Sequence, residues 1–136
     1  MYLVDTSVWV DFLRGSGTPQ VAALKGLLEA DDIVGVAPII LQEVLQGADS
    51  DDRFEKWRKY FEGLCCHAPA DPVASSIAAA RLYQACRRTG KTPRSSNDCL
   101  IAHIAMEHDL VLLHSDRDFT AIAAVAPGLK LYPVRQ

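Results

Sequence analysis

No apolar run in this 136-residue chain approaches the roughly 20 residues that a membrane-spanning helix requires, so no membrane role is expected. The opening stretch, MYLVDTSVWVDF, has an acid at position 5 and no basic start, which argues against a secretory leader. Cysteine is sparse and unpatterned. Cys65, Cys66, Cys86 and Cys99 show neither CxxC spacing nor the density of a disulfide scaffold. They read as reduced core or helix residues of a cytoplasmic protein, with no zinc site expected. GxxxxGK[ST] and GxGxxG are both missing, which removes the usual nucleotide-binding readings. The lack of a GxSxG elbow argues against a serine hydrolase built on Ser7. There is no repeat, low-complexity tract or linker to divide the chain, and one domain spanning 1–136 is expected.

Net charge is −3, which at first argues against a nucleic-acid partner. Discounting four acids held by cations would turn that into +1, so overall charge decides nothing.

What the chain does have is alternation. Hydrophobic residues make up 49% and charged residues 23%, a globular balance. Short apolar runs at 2–4, 33–37, 110–114 and 129–133 read as buried strands. Between them lie helical patterns with recognisable ends: SVWVDFLRG closing on Gly15, TPQVAALKGLLEADD opening on Thr18 and Pro19, and PIILQEVLQG running from Pro38 to Gly47. DDRFEKWRKYFEGL, DPVASSIAAARLYQACRRTG and SSNDCLIAHIAMEHD continue the series. Apolar strands separated by helices indicate a parallel sheet covered on both faces, an α/β fold of the three-layer α/β/α kind.

In such a sheet, ligands bind beyond the carboxyl ends of the strands, near the point where strand order reverses. Asp5 directly follows the first strand and Asp116 closely follows the run 110–114. Glu43 falls in the second turn of a helix entered from the second strand, and Asp98 in the first turn of another. Converging carboxylates repel one another unless cations intervene. Hard oxygen ligands without a Cys/His set favour Mg²⁺ or Mn²⁺, the arrangement that hydrolyses phosphodiesters. Each acid also has a structural reading. Asp5 and Asp116 can cap helices, Asp98 can be a first-turn acid, and Glu43 can be a surface residue.

The segments YLVDTSVWVDFLRG, PIILQEVLQG, NDCLIAHIA and LVLLHSDRDFTAIA closely resemble, in order, the four acidic motifs of the PIN-domain ribonucleases. Within that family they are most similar to VapC-type toxins of bacterial toxin–antitoxin pairs. The resemblance implies a PIN-like fold and a metal-dependent endoribonuclease that cuts RNA. It also implies neutralisation by a small VapB-type antitoxin, and a homodimer. It places catalytic, metal-holding acids on Asp5, Glu43, Asp98 and Asp116, with Asp118 a further candidate ligand. Thr6 and Ser7 match a supporting position that orients an acid, a water or a phosphate.

Four cations, Arg87, Arg88, Lys91 and Arg94, fall within eight residues and form a candidate RNA-binding patch, or else a solvated helix end. Trp9, Phe12 and Leu13 follow the first acid and read equally as core or as a partner-facing stripe. Trp57 reads as core or partner-facing before it reads as a base-stacking platform. Two rivals stand beside the enzyme. A receiver-like Mg²⁺-binding module shares the acidic pocket, but DTS follows the first strand and Lys130 lies inside the last. A catalytically inactive binding homologue is opposed by the complete set of acids.

Overall fold

The computed structural model describes residues 1–31 and 33–133; Asp32, at the end of the second helical stretch, lies outside them. Its elements alternate along the chain: β1 (Tyr2–Val4), α1 (Thr6–Arg14), α2 (Pro19–Glu29), β2 (Val34–Val36), α3 (Pro38–Leu45), α4 (Asp51–Glu62), β3 (Cys65–Cys66), α5 (Pro72–Arg88), α6 (Ser96–Glu107), β4 (Val111–Leu113), α7 (Arg117–Val125) and β5 (Lys130–Leu131). Side-chain oxygens start most of these helices. Asp5, Thr18, Ser50, Asp71, Ser95 and Asp116 each accept a first-turn N–H, satisfying donors that have no partner within the helix. Only α3 begins without such a cap, on Ala37 and Pro38, because it leaves β2 directly.

The strands form one parallel sheet in the order β3-β2-β1-β4-β5. From β1 the chain steps to β2 and β3; it then crosses to β4 on the other side of β1 and ends at β5. Because such crossovers are right-handed, α1–α4 cover one face and α5–α7 the other. The packing agrees: α1 meets α2 and α3, and α3 meets α4, while α5, α6 and α7 pack on one another. The result is the expected α/β/α sandwich.

The central strands are apolar because both faces are covered. Leu3, Val4, Val36, Leu112 and Leu113 are at most 1% exposed. Trp9 is fully buried, its ring 4.9 Å from Phe61 and 6.2 Å from Tyr60, so α1 is clamped to α4 by aromatic edge contacts. Trp9 is therefore core, and Phe12, Leu13 and Trp57 pack partly buried against it. Gly35 in β2 makes room for the neighbouring strand's exit, since a Cβ there would lie 2.5 Å from the His67 ring. One cysteine expectation fails. Cys86 and Cys99 are buried on helices, but Cys65 and Cys66 are exposed and form the edge strand β3.

Candidate active site

β1 and β4 are neighbours whose outgoing connections diverge, so their carboxyl ends form the switch point of the sheet. Val4 pairs with Leu113, and the Asp5 amide donates to the Leu113 carbonyl at 2.9 Å. That register brings the two strand-following acids to one rim. Asp5 is 4% exposed, and its Oδ2 accepts the Ser7 amide at 3.3 Å and the Ser7 hydroxyl at 2.5 Å. Ser115 in turn donates to Ser7 Oγ at 2.9 Å, tying the two corners together. Asp116 caps α7 through Oδ1, which accepts the Asp118 amide at 2.9 Å.

Helices bring the other two acids to the same place. Glu43, on the second turn of α3, accepts from Thr6 Oγ1 at 2.7 Å and from the Asn97 side-chain amide at 3.4 Å. Asp98 stands in the first turn of α6. Asp5, Glu43, Asp98 and Asp116, with Thr6, Ser7, Arg94 and Ser95, line one open cleft of about 420 Å³. Four acids spread from position 5 to position 116 thus share one cleft.

Two of these acids, Asp98 and Asp116, form a cluster with Asp118, each offering an oxygen within 4.8 Å of the others. Asp118 is turned toward the loop before α6. Its Oδ2 accepts the Arg94 amide at 3.0 Å and Arg94 Nε at 3.2 Å, while Arg94 Nη2 donates to Asp116 Oδ1 at 2.8 Å. Arg94 is therefore an internal counter-cation, spanning two acids with a guanidinium that stays largely in solvent.

The electrostatics follow. Burial, then the charges of Asp5, Asp116, Asp118 and Glu43, push the Asp98 carboxyl up to about 7. Burial also raises Asp5, against the opposing pull of its Ser7 hydrogen bonds. Burial works against the charge of Asp118 too, but its bonds to Arg94 outweigh it and hold the carboxyl below its usual range. The His114 ring nitrogen Nδ1 accepts the Asp116 amide at 3.3 Å, and burial lowers its basicity, so His114 supports the strand end as a neutral ring.

This donor set fits a divalent cation. All the converging atoms are carboxylate oxygens, Asp98 takes no hydrogen bond from any described residue, and one cation, Arg94, already sits against two of the acids. Oxygen-only sites of this kind suit Mg²⁺, Mn²⁺ or Ca²⁺ and not zinc.

The structure gathers Asp5, Thr6, Ser7, Glu43, Asp98 and Asp116 around the cleft and sets Asp118 at its border. It divides the four-cation run. Arg94 joins the acids, Arg87 lies over the Tyr83 ring at 6.0 Å, and Arg88 and Lys91 are exposed. Asn97 and Ser115 escaped sequence reasoning. Asn97 stands next to Asp98 and Ser115 next to Asp116, so adjacency to a candidate acid was the signal available.

Among the described residues no helix is long and apolar enough to cross a membrane. The family model "PIN domain" matches residues 2–125. VapC ribonuclease Mb1587 of Mycobacterium bovis is 39% identical over 130 residues, covering 92% of this chain and 93% of that protein. Ribonuclease VapC11 of Mycobacterium tuberculosis is similar to the same extent. Among solved structures, VapBC2 from Rickettsia felis bound to a promoter DNA fragment superposes with a TM-score of 0.72 at 19% identity, covering 96% of each chain. A toxin–antitoxin complex from Klebsiella pneumoniae gives 0.68 at 21%, covering 98% of this chain and 97% of that one. With the match running from β1 to the end of α7, and relatives alike along nearly their whole length, this chain belongs to the PIN domain family.

Proposed function

We propose that this chain is a metal-dependent endoribonuclease toxin, one PIN domain over 1–136, whose activity a small VapB-type antitoxin restrains. The observation that carries the reading is the convergence of Asp5, Glu43, Asp98 and Asp116 on one cleft at the switch point of the sheet. The relatives at 39% identity are named ribonucleases, and the structural neighbours are toxin–antitoxin complexes, which supports RNA as substrate and an antitoxin as partner.

Asp5, Glu43, Asp98 and Asp116 would hold Mg²⁺ or Mn²⁺, with Asp118 able to join once Arg94 moves aside. Bound there, such an ion supplies a nucleophile from water at neutral pH and stabilises charge on the attacking and leaving oxygens. The chain's own part is orientation. Thr6 and Asn97 fix the two Glu43 oxygens, and Ser7 fixes one oxygen of Asp5. Arg94 is placed to hold a phosphate beside the acids. In the same reading the toxin works as a homodimer in the cytoplasm.

The test is cleavage of a mixed RNA pool by purified, antitoxin-free protein in Mg²⁺, in Mn²⁺ and in EDTA, with Asp98→Asn alongside. Cuts that need the metal and vanish in the variant are expected. Equal cleavage by Asp98→Asn, or cleavage in EDTA, would overturn the assignment.

A further inference from the structure

A second and larger pocket, of about 590 Å³, opens between the 90–94 loop and α7, and Arg94 belongs to the walls of both it and the acidic cleft. Lys91 and Arg117 line it from opposite sides, with the hydroxyls of Thr92 and Thr120 and two alanines of α7. The loop is held in place. Gly90 takes a left-handed conformation, φ 82°, to leave α5, Pro93 is buried, and the Arg94 amide is bonded to Asp118.

Charge distinguishes this pocket from its surroundings. Arg94 is already paired with Asp116 and Asp118, and Asp118 is the only acid of the lining among the described residues. Lys91 and Arg117 form no ion pair with any described residue, and both are exposed. Two cations outside any ion pair with a described residue thus line a pocket that shares the Arg94 wall with a cleft crowded with carboxylates, in a chain of net charge −3. A polyanion drawn to that cleft meets repulsion unless a positive surface adjoins it.

We propose that this pocket is the subsite that grips the RNA backbone next to the cleavage cleft, with Lys91 and Arg117 each taking a phosphate. The inference rests on the ribonuclease reading and adds the direction in which the strand leaves the acids. The two hydroxyls donate to phosphate or ribose oxygens, and the alanines leave room for a sugar. Arg94, on the shared wall, marks the step from one site to the other. Arg87 and Arg88 lie outside the pocket, so the four-cation run contributes only its later half.

The measurement is fluorescence anisotropy of a labelled single-stranded RNA in Mg²⁺ across a range of salt, in an Asp98→Asn background that keeps the probe whole. Lys91→Ala/Arg117→Ala should weaken binding about tenfold. The slope of log affinity against log salt should shrink by about 1.4, ~0.7 for each phosphate of a single strand that is no longer neutralised. Lys56→Ala/Lys59→Ala makes the same change of charge on α4, the helix that leads to the opposite sheet edge, and should leave both quantities in place. An unchanged slope in the first pair, or an equal loss in the second, overturns the subsite. Failure of the nuclease reading is seen separately: protein with Asp98 intact then neither binds nor cuts RNA, and the subsite falls with it.

Discussion

At the β1–α1 corner and again at the β4–α7 corner, an apolar strand ends near an aspartate that caps the next helix. The two aspartates stand at one rim, yet their surroundings differ. Asp5 is buried and served by hydroxyls, Ser7 directly and Ser115 behind it. Asp116 is partly exposed and served by a cation, Arg94. In both, the cap falls on one carboxylate oxygen, Oδ2 in Asp5 and Oδ1 in Asp116. Capping and ion binding are therefore compatible duties of a single side chain. The difference between the corners is how each tolerates its charge, one through hydroxyls and the other through a cation.

The sharpest way to separate the two duties is to keep the cap and remove the charge. Asparagine caps as well as aspartate. Asp5→Asn and Asp116→Asn should each lower the RNA cleavage rate by ~10³-fold, the several kcal/mol that metal-assisted charge stabilisation supplies. Melting temperatures measured without metal should stay level or rise. A large drop in melting with modest loss of rate would reduce these acids to structural caps.

A second experiment asks how far the carboxylates oppose one another without an ion. Asp98 is raised from 3.8 to about 7, so over that interval the folded protein holds a proton that the unfolded chain has released. Metal-free stability must then fall as pH rises from about 4 to about 7, by ~4 kcal/mol for a fully buried group and on the order of 2 kcal/mol for one that solvent partly screens. Denaturant titrations in EDTA should record the decline, Asp98→Asn should flatten it, and excess Mg²⁺ should reverse it. A flat profile in EDTA would mean that neither burial nor the neighbouring acids hold a proton on Asp98.

The smallest effects distinguish the two corners directly. Ser7→Ala removes the hydroxyl partner of a buried carboxylate and should cost about 1 kcal/mol in denaturant titration. Arg94→Ala removes a cation whose head lies in solvent, and should change stability less while making metal-free protein more sensitive to low salt. If the order of these two variants reversed, the β4–α7 corner would be the one whose fold depends on its partner.

How much of this was legible in the sequence follows from how local each cause is. Helix ends were readable because a Thr, Ser or Asp cap and a Pro or Gly act within a few residues. The central strands were readable because burial on both faces demands continuous apolar runs. Strand β3 was missed because an edge of two exposed cysteines carries no such run. In the site, the places of Asp5 and Asp116 were visible from their position after strands. The turning of Arg94 into the acids was not, since it depends on how the 90–95 loop lies against α7. Trp9 could not be divided between core and surface until Tyr60 and Phe61, some fifty residues later, were known to meet it.

The pairing of Tyr2–Val4 with Val111–Leu113 also has a consequence for the order of events during synthesis. At ~5–20 residues per second, the first strand emerges roughly five to twenty seconds before the strand it must lie beside. A growing chain that has reached position 110 contains Asp5, Glu43 and Asp98 but lacks Asp116 and the neighbour that seats Asp5. No growing chain shorter than 116 residues can carry all four acids of the cleft, so a nuclease built this way is harmless to the ribosome and message producing it until that point is passed.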